Sequence, residues 1–247
     1  MIPADSPVLI LGARSDMARA LAHEFAKEGH PLMLAARNAD TLSEDMTDLE
    51  VRFQAKVTAH DFDILDVDGH AAFLGNLPEV PAVVVSVVGF MGDQDESAIN
   101  PDAARKVIDT NFTAPCLMLE LCAGRLAELK RPTAIIGIGS VAGDRGRAKN
   151  YVYGAAKAGF ATWLSGMRQK YVDSQLHIMT VKPGFVRTSA TADMDLLGPL
   201  TDEPEAFAKK VMKALKRKSQ VYYDIKWRAV MGVITHLPER IFMKTKF

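Results

Sequence analysis

The feature that most restricts the fold of this sequence is a series of short apolar runs alternating with amphipathic segments. Two runs, AVVVSVVG and TAIIGIGS, contain almost only apolar and small residues, which is typical of strands buried on both faces of a sheet. The runs predict strands over 8–11, 31–35, 54–59, 82–87, 133–139, 176–182 and 220–223. The segments between them predict helices over 16–28, 40–50, 67–76, 101–128 (broken near Asn111), 151–172 and 204–218.

Strands that alternate with helices favour a parallel sheet covered by helices on both faces, joined by right-handed crossovers. No repeat, low-complexity tract or long linker divides the sequence. We therefore predict a single Rossmann-like, doubly wound α/β domain over residues 1–247, with a parallel sheet of about seven strands. Ligands of such sheets bind beyond the carboxyl ends of the strands, so residues that directly follow a strand are the candidates for function.

Composition excludes several classes of protein. Thirty basic residues balance thirty acidic residues, so the net charge gives no sign of a nucleic-acid partner. The two cysteines, Cys116 and Cys122, are too few for a disulfide framework and are interpreted as free thiols in a reducing compartment. Neither a signal peptide nor a run of 18 apolar residues is evident. We expect a cytoplasmic protein without a metal site.

One serine, one tyrosine and one lysine suggest proton-transfer chemistry. Ser140 follows the fifth predicted strand, and Tyr153 and Lys157 are one helical turn apart, so they share a helix face. A nearby cation lowers the pKa of a phenol, and a serine at a strand end can donate a hydrogen bond to a carbonyl oxygen. The Tyr-x-x-x-Lys spacing alone is a weak signal, because Tyr222 and Lys226 repeat it without a preceding strand-end serine.

The order of the surrounding motifs is more specific. DTNFTAP lies on the long central helix, and the Pro-Gly turn KPGFVRTS follows the sixth strand. Together with the serine, tyrosine and lysine, these motifs resemble the single-domain short-chain dehydrogenase/reductase family over about residues 7–223. The resemblance implies an oxidoreductase in which a nicotinamide cofactor supplies hydride while the protein supplies position and protons.

The resemblance also implies a role for each catalytic candidate. Tyr153 would be the acid in carbonyl reduction and the base in alcohol oxidation. Lys157 would lower the pKa of that tyrosine and hold the nicotinamide ribose. Ser140 would position and polarise the carbonyl, and Asn111 would anchor a water molecule in a proton relay ending at Lys157. Members of the family usually assemble through two long helices, which implies a homodimer or homotetramer.

The loop after the first strand departs from the family pattern. Members usually have glycine where this chain has Asp16 and Ala18, although Gly12 keeps the tight turn. Backbone amides at the start of the next helix remain available for phosphate. A diphosphate would repel Asp16, so we expect its side chain to turn away and cap that helix. The predicted cofactor residues of this loop are Gly12, Ala13, Arg14, Ser15, Asp16 and Met17.

The end of the second strand favours NADP(H) over NAD(H). Arg37 stands where NAD-binding members usually carry an acidic residue. Its planar set of donors, aided by Arg14, could bind a 2′-phosphate, although a solvated surface arginine is equally common at such a position. After the third strand Asp63 fits the family spacing better than Asp61. The remaining cofactor contacts implied by the resemblance are Ile64, Val88, Gly89, Tyr153, Lys157, Pro183, Gly184, Val186 and Thr188.

Two segments are interpreted as bearing on the substrate. Residues 188–204 would form a variable substrate loop, in which Met194, Leu196 and Leu197 could close over a bulky substrate. The tail 225–247 has apolar residues at near-helical spacing among basic ones, which is typical of an amphipathic segment. It could pack on the domain, on another subunit or against the inner face of a membrane as a peripheral contact.

Three stretches narrow the resemblance. FDILDVDGHAAF, GFMGDQ and LPERIF are similar to the branch that reduces the 2-keto intermediate of decaprenylphosphoryl-arabinose synthesis, which implies a lipid-linked keto sugar as one candidate substrate. Two rival interpretations are a catalytically idle dinucleotide-binding sensor or scaffold, and a sugar epimerase or dehydratase. The complete catalytic set argues against the first, and the lack of room for a larger C-terminal domain argues against the second. We therefore predict an NADP(H)-dependent carbonyl reductase.

Overall fold

The computed structural model describes residues 2–192, 196 and 198–245; Met194, Leu197 and Lys246 of the segments above lie outside them. The described strands are β1 (Val8–Leu11), β2 (Leu32–Ala36), β3 (Val57–Asp61), β4 (Val83–Ser86), β5 (Thr133–Ile138), β6 (Leu176–Lys182), β7 (Phe185–Val186), β8 (Thr201–Asp202) and β9 (Val221–Tyr223). Seven of them form one sheet in the order β3-β2-β1-β4-β5-β6-β9. All neighbouring strands in it are parallel, which confirms the predicted sheet.

Helices cover both faces of this sheet. They are α1 (Asp16–Lys27), α2 (Ser43–Phe53), α3 (His70–Gly75), α4 (Gln94–Ile99), α5 (Pro101–Ile108), α6 (Ala114–Glu128), α7 (Tyr151–Lys170), α8 (Pro204–Lys216), α9 (Ile225–His236) and α10 (Glu239–Phe242). Val8 and Ile10 pack in one apolar cluster with residues of α1 and α8. Leu9 and Leu11 pack in a second with residues of α6 and α7. Successive side chains of a strand point to opposite faces, so two covered faces require the nearly continuous apolar runs of the sequence.

The long central helix is broken where the sequence predicted. A π-helical turn over Asp109–Thr113 separates α5 from α6. Such turns insert an extra residue into a helix and often mark functional sites. Here the turn contains Asn111, whose side chain is fully buried.

Several element boundaries differ from the prediction. The third strand begins at Val57 rather than at residue 54, because Gln54 adopts a left-handed conformation (φ 55°) that ends α2. Helix α2 begins at Ser43, after a 3-10 turn over Ala39–Leu42. The short elements α4, β7 and β8 were not predicted.

The tail packs on the body of the protein. Trp227, Met231 and Ile234 of α9 are buried in a third apolar cluster with Val141, which follows β5. At the far end of α9, Arg145 donates hydrogen bonds to backbone oxygens at the end of the helix. Of the three locations left open for the tail, the structure shows packing on the domain. Within the described residues, no helix has the length and apolar character needed to cross a membrane.

Candidate active site

Two adjoining cavities lie beyond the carboxyl ends of the central strands. The first, of about 430 Å³, is lined by Arg14, Arg37 and Asp63 among others. The second, of about 240 Å³, contains Ser140 and Tyr153. Both are lined by the same residues after β1 and β4, namely Ser15, Val87, Val88, Gly89 and Phe90. The two cavities therefore form one continuous groove.

The predicted serine, tyrosine and lysine meet in the second cavity. Ser140 caps a short 3-10 turn, and its Oγ accepts a hydrogen bond from the Ala142 amide at 3.1 Å. Tyr153 lies in the first turn of α7. Lys157, one turn later, is buried and donates from Nζ to the Ile138 carbonyl oxygen at 3.1 Å. Its Nζ lies 5.7 Å from the centroid of the Tyr153 ring.

Burial moves the pKa values of Tyr153 and Lys157 in opposite directions. Desolvation raises the pKa of Tyr153 to about 12, opposed by the hydrogen bond with Ser140 and by the charge of Arg147. Desolvation also lowers the pKa of Lys157 to about 8. The charge that opposes the rise of the Tyr153 pKa is that of Arg147, whereas the sequence suggested Lys157 for this role. At neutral pH the phenol keeps its proton.

Asn111 braces the segment after β4. Its side-chain nitrogen donates to the carbonyl oxygens of Phe90 and Val107, at 2.5 and 2.8 Å. Its Oδ1 accepts from the Phe90 amide at 3.2 Å. A Cβ placed on Gly89 would lie 3.3 Å from this Oδ1 and 3.5 Å from Lys157 Nζ. Asn111 is therefore close to Lys157, with both amide hydrogens used by the main chain.

The loop after β1 has the shape of a dinucleotide turn. Gly12 has φ +82°, and a Cβ there would lie 3.1 Å from the Val88 amide nitrogen, so only glycine fits without strain. Ser15 is the N-cap of α1, and its side chain makes no capping hydrogen bond. The first amides of α1 are thus not capped by that side chain, which suits a phosphate ligand.

The expectation that Asp16 caps α1 is wrong. Asp16 is the first residue within the helix. Its Oδ2 accepts hydrogen bonds from the amide and hydroxyl of Ser189, at 2.7 and 2.8 Å, while Oδ1 lies 3.5 Å from Arg19. Partial burial raises the pKa of the Asp16 carboxyl, but these partners outweigh it and hold the pKa below its usual value. The carboxylate is therefore directed at the substrate loop.

Most of the other predicted cofactor residues line the groove. Asp63 and Ile64 lie in the first cavity, whereas Asp61 accepts a hydrogen bond from the Ala39 amide at 2.8 Å. Met17, Val88, Gly89, Pro183, Gly184, Val186 and Thr188 line the second cavity. Ala13 does not line the groove, because its side chain is buried in the apolar core.

The second Tyr-x-x-x-Lys pair forms no site. Tyr222 packs against an apolar cluster of the sheet. Lys226 donates from Nζ to the Pro199 carbonyl oxygen at 2.8 Å. The described residues also contain no group of three or more His, Cys, Asp or Glu side chains placed to hold a metal ion.

Residues that the sequence did not single out also line the second cavity, among them Arg147, Asn150, Phe185, Ser189 and Trp227. Arg147 and Asn150 lie between Ser140 and Tyr153, so their position in the sequence was a usable signal. Trp227 comes from the tail. Its ring covers Gly184 so closely that a Cβ there would lie 1.8 Å from the indole Cδ1.

Comparisons with known proteins agree with this geometry. The short chain dehydrogenase family model matches residues 6–196. An uncharacterized oxidoreductase of Mycobacterium tuberculosis (strain H37Rv) is 31% identical over 97% of this chain and 96% of that protein. The NADP-dependent 3-hydroxy acid dehydrogenase of Schizosaccharomyces pombe is 29% identical over 87% of this chain and 88% of its own.

Solved structures show the same fold. A short-chain dehydrogenase from Sphingobium yanoikuyae, solved in complex with NADPH, superimposes with a TM-score of 0.80 at 23% identity and covers 95% of this chain and 97% of that one. An L-sorbose reductase from Gluconobacter frateurii, complexed with NADPH and L-sorbose, has a TM-score of 0.79 at 17% identity, covering 90% and 95%. With the family match and the relatives above, these findings confirm the resemblance read from the sequence: the chain belongs to the short-chain dehydrogenase family, whose members are oxidoreductases that bind a nicotinamide dinucleotide.

Proposed function

We propose that the protein is an NADP(H)-dependent carbonyl reductase that transfers hydride to a ketone, or from a secondary alcohol in the reverse direction. The observation that carries this proposal is the meeting of Ser140, Tyr153 and Lys157 in a cavity continuous with a second one lined by Arg14 and Arg37. Strands β1 and β9, which lie far apart in the sequence, belong to the same seven-stranded sheet, which supports a single domain over residues 1–247.

The groove fits a dinucleotide phosphorylated on its ribose. Gly12 and the first amides of α1 would hold the diphosphate, while Asp63 and Ile64 would lie at the adenine side. The strand that precedes Arg37 ends in Ala36, so the residue directly before Arg37 carries no acidic side chain. The NADPH complexes and the NADP-dependent relative named above support the same choice.

The nicotinamide, when bound, supplies the hydride. Ser140 and the Tyr153 hydroxyl would bind the carbonyl oxygen, and the protonated phenol would give its proton to the oxygen as negative charge develops there. Lys157, placed beneath the tyrosine ring, would hold the ribose and return the proton. Asn111, with one lone pair of Oδ1 left beside Gly89, would support that relay.

The second cavity is lined by both apolar and polar side chains. Phe90, Met91 and Trp227 contribute apolar surface to its lining, while Arg147 and Asn150 provide polar atoms. This arrangement suits a ketone with one polar and one apolar part, and a lipid-linked keto sugar is one such substrate. Peripheral contact of the tail with a membrane would then bring the cavity close to the lipid.

Self-association is also supported. Leu117 and Leu121 of α6 are 46% and 42% exposed, four residues apart on one helix face. Exposed apolar residues on a long helix favour a contact with another copy of the chain. We include a homodimer or homotetramer in the proposal.

Replacement of Tyr153 by phenylalanine tests the function. We expect Tyr153→Phe to lower kcat by about a hundredfold or more, because the proton donor is lost, and to leave the Kd for NADPH within about twofold of the wild type. Tyr222→Phe is the matched control, since it removes the same hydroxyl from the second Tyr-x-x-x-Lys pair. The sensor or scaffold alternative predicts instead that wild-type protein binds NADPH and reduces no ketone. Unchanged turnover in Tyr153→Phe contradicts the mechanism.

A further inference from the structure

A contact between Asp16 and Ser189 joins two segments that are 173 residues apart in the chain. The carboxylate accepts two hydrogen bonds from Ser189, and on its other side Arg19 bridges it to Asp45. Hydrogen bonds to a charged acceptor are stronger than neutral ones. The contact therefore holds Ser189, in the first part of the substrate loop, against the start of α1.

The segment held by Asp16 is itself a well-defined turn. Ser189 begins a 3-10 turn over Ser189–Thr191. Thr191 Oγ1 accepts a hydrogen bond from the Thr188 amide at 2.9 Å and donates to the Val186 carbonyl oxygen at 2.9 Å. Because these bonds lie within residues 186–191, the contact with Asp16 can open while the turn keeps its shape.

This contact lies beside the path of any ligand that spans the groove. Ser15 lines both cavities, and Asp16 and Ser189, in contact with each other, both line the second. An extended molecule reaching from Arg37 to Tyr153 must therefore pass next to the Asp16–Ser189 contact. Opening the contact would widen the groove at that point.

We propose that the Asp16–Ser189 contact is a latch that controls the exchange of the dinucleotide, with Asp16 as a positioning residue that acts through the turn at Ser189. The latch must open for the cofactor to enter and to leave. This inference rests on the proposed binding of a nicotinamide dinucleotide. It gives a reason for a carboxylate at the diphosphate loop, since Ser189 and Arg19 direct its charge away from the phosphates.

Stopped-flow measurement of NADPH fluorescence, with the full-length chain, tests the latch without any ketone substrate. We expect the association and dissociation rates of Asp16→Ala both to rise by about tenfold, and those of Ser189→Ala, which loses one of the two bonds, by about threefold. Because both rates rise, the Kd changes by less than about twofold. In the double variant the serine substitution adds nothing further. Asp102→Ala, which removes an exposed carboxylate paired with Arg105 outside the latch, leaves both rates unchanged.

Other outcomes overturn the latch and are distinguishable. Faster association with slower dissociation in Asp16→Ala means that the carboxylate only repels the diphosphate. Faster dissociation alone means a direct contact with the cofactor. Unchanged rates in the presence of normal NADPH binding remove the latch and leave the proposed function intact. A wild-type protein that binds neither NADPH nor NADH removes both. If Asp16→Ala does not fold, Ser189→Ala and Asp16→Asn, which keeps one acceptor oxygen, give the same comparison.

Discussion

At the scale of single residues, burial sets the pKa values of Lys157 and Tyr153, and nearby charge opposes its effect at Tyr153. Burial brings the pKa of Lys157 down to about 8, close to physiological pH, while Tyr153 keeps its proton. The lysine is therefore the first of the two to titrate as the pH rises. Its charge state should govern the alkaline side of the reaction.

We expect the rate of ketone reduction to fall as the pH rises through about 8, because Lys157 loses its proton there. The folded protein binds this proton more weakly than the unfolded chain, in which the pKa of a lysine is about 10.4. The contribution of Lys157 to the free energy of unfolding therefore increases with pH between these two values. A profile of kcat/KM against pH at saturating NADPH checks the first expectation, and a flat profile above pH 8 would falsify it.

Arg37 is expected to distinguish the two cofactors. The exposed guanidinium lines the first cavity, so Arg37→Ala should weaken NADPH binding by about tenfold and leave NADH binding unchanged. Arg52→Ala is the control, because Arg52 is exposed and pairs with Asp48 away from the groove. Fluorescence titrations with both cofactors measure the effect. Equal losses for NADPH and NADH would show that Arg37 does not bind the 2′-phosphate.

At the scale of secondary structure, the packing of α9 against the turn after β6 leaves little room for substitutions. Trp227 packs edge-on against Phe185, with 5.0 Å between ring centroids, and its indole nitrogen donates to the Leu200 carbonyl oxygen at 2.7 Å. Gly184 leaves the space that the indole fills. Any side chain at that position must displace the ring.

Two glycine substitutions should therefore have opposite effects. We expect Gly184→Ala to lower the free energy of unfolding by about 1–3 kcal/mol, because its methyl group overlaps Trp227. Gly232→Ala in α9, where a Cβ meets nothing within 4 Å, should raise it by about 0.5–1 kcal/mol through helix propensity. Urea denaturation of both variants measures the difference. Equal free energies of unfolding in the two variants would mean that α9 accommodates the methyl group at position 184 without loss of stability.

The sequence predicted those elements whose partners follow from local pattern. The five inner strands β1, β2, β4, β5 and β6 were found because they are apolar runs that are almost entirely buried, whereas the edge strands β3 and β9 are partly exposed. The break at Asn111 was placed correctly. The short strands β7 and β8 pair only with each other, over two residues each, too few to leave a pattern. Packing of the tail depends on Val141 and Phe185, which are distant in sequence.

For the molecule as a whole, the position of the candidate site was predictable because the carboxyl ends of parallel strands lie at one edge of the sheet. Ser140, Tyr153 and Lys157 follow from the family spacing and meet as the resemblance implies. The departures from the family were not predictable, because a substitution such as Asp16 does not reveal its new partner. Ser189 gave no signal in the sequence, since the contact exists only after the loop after β6 has folded over α1.

The packing of Trp227 on Gly184 also bears on the order in which the linings of the two cavities are synthesised. The residues that line the first cavity all lie at or before Thr110, whereas the second cavity is closed by a side chain near the end of the chain. A protein emerges from the ribosome with its N-terminal part first. The residues of the first cavity are therefore all synthesised well before Trp227, so a nascent chain gains the Trp227 wall of the second cavity only after the whole lining of the first.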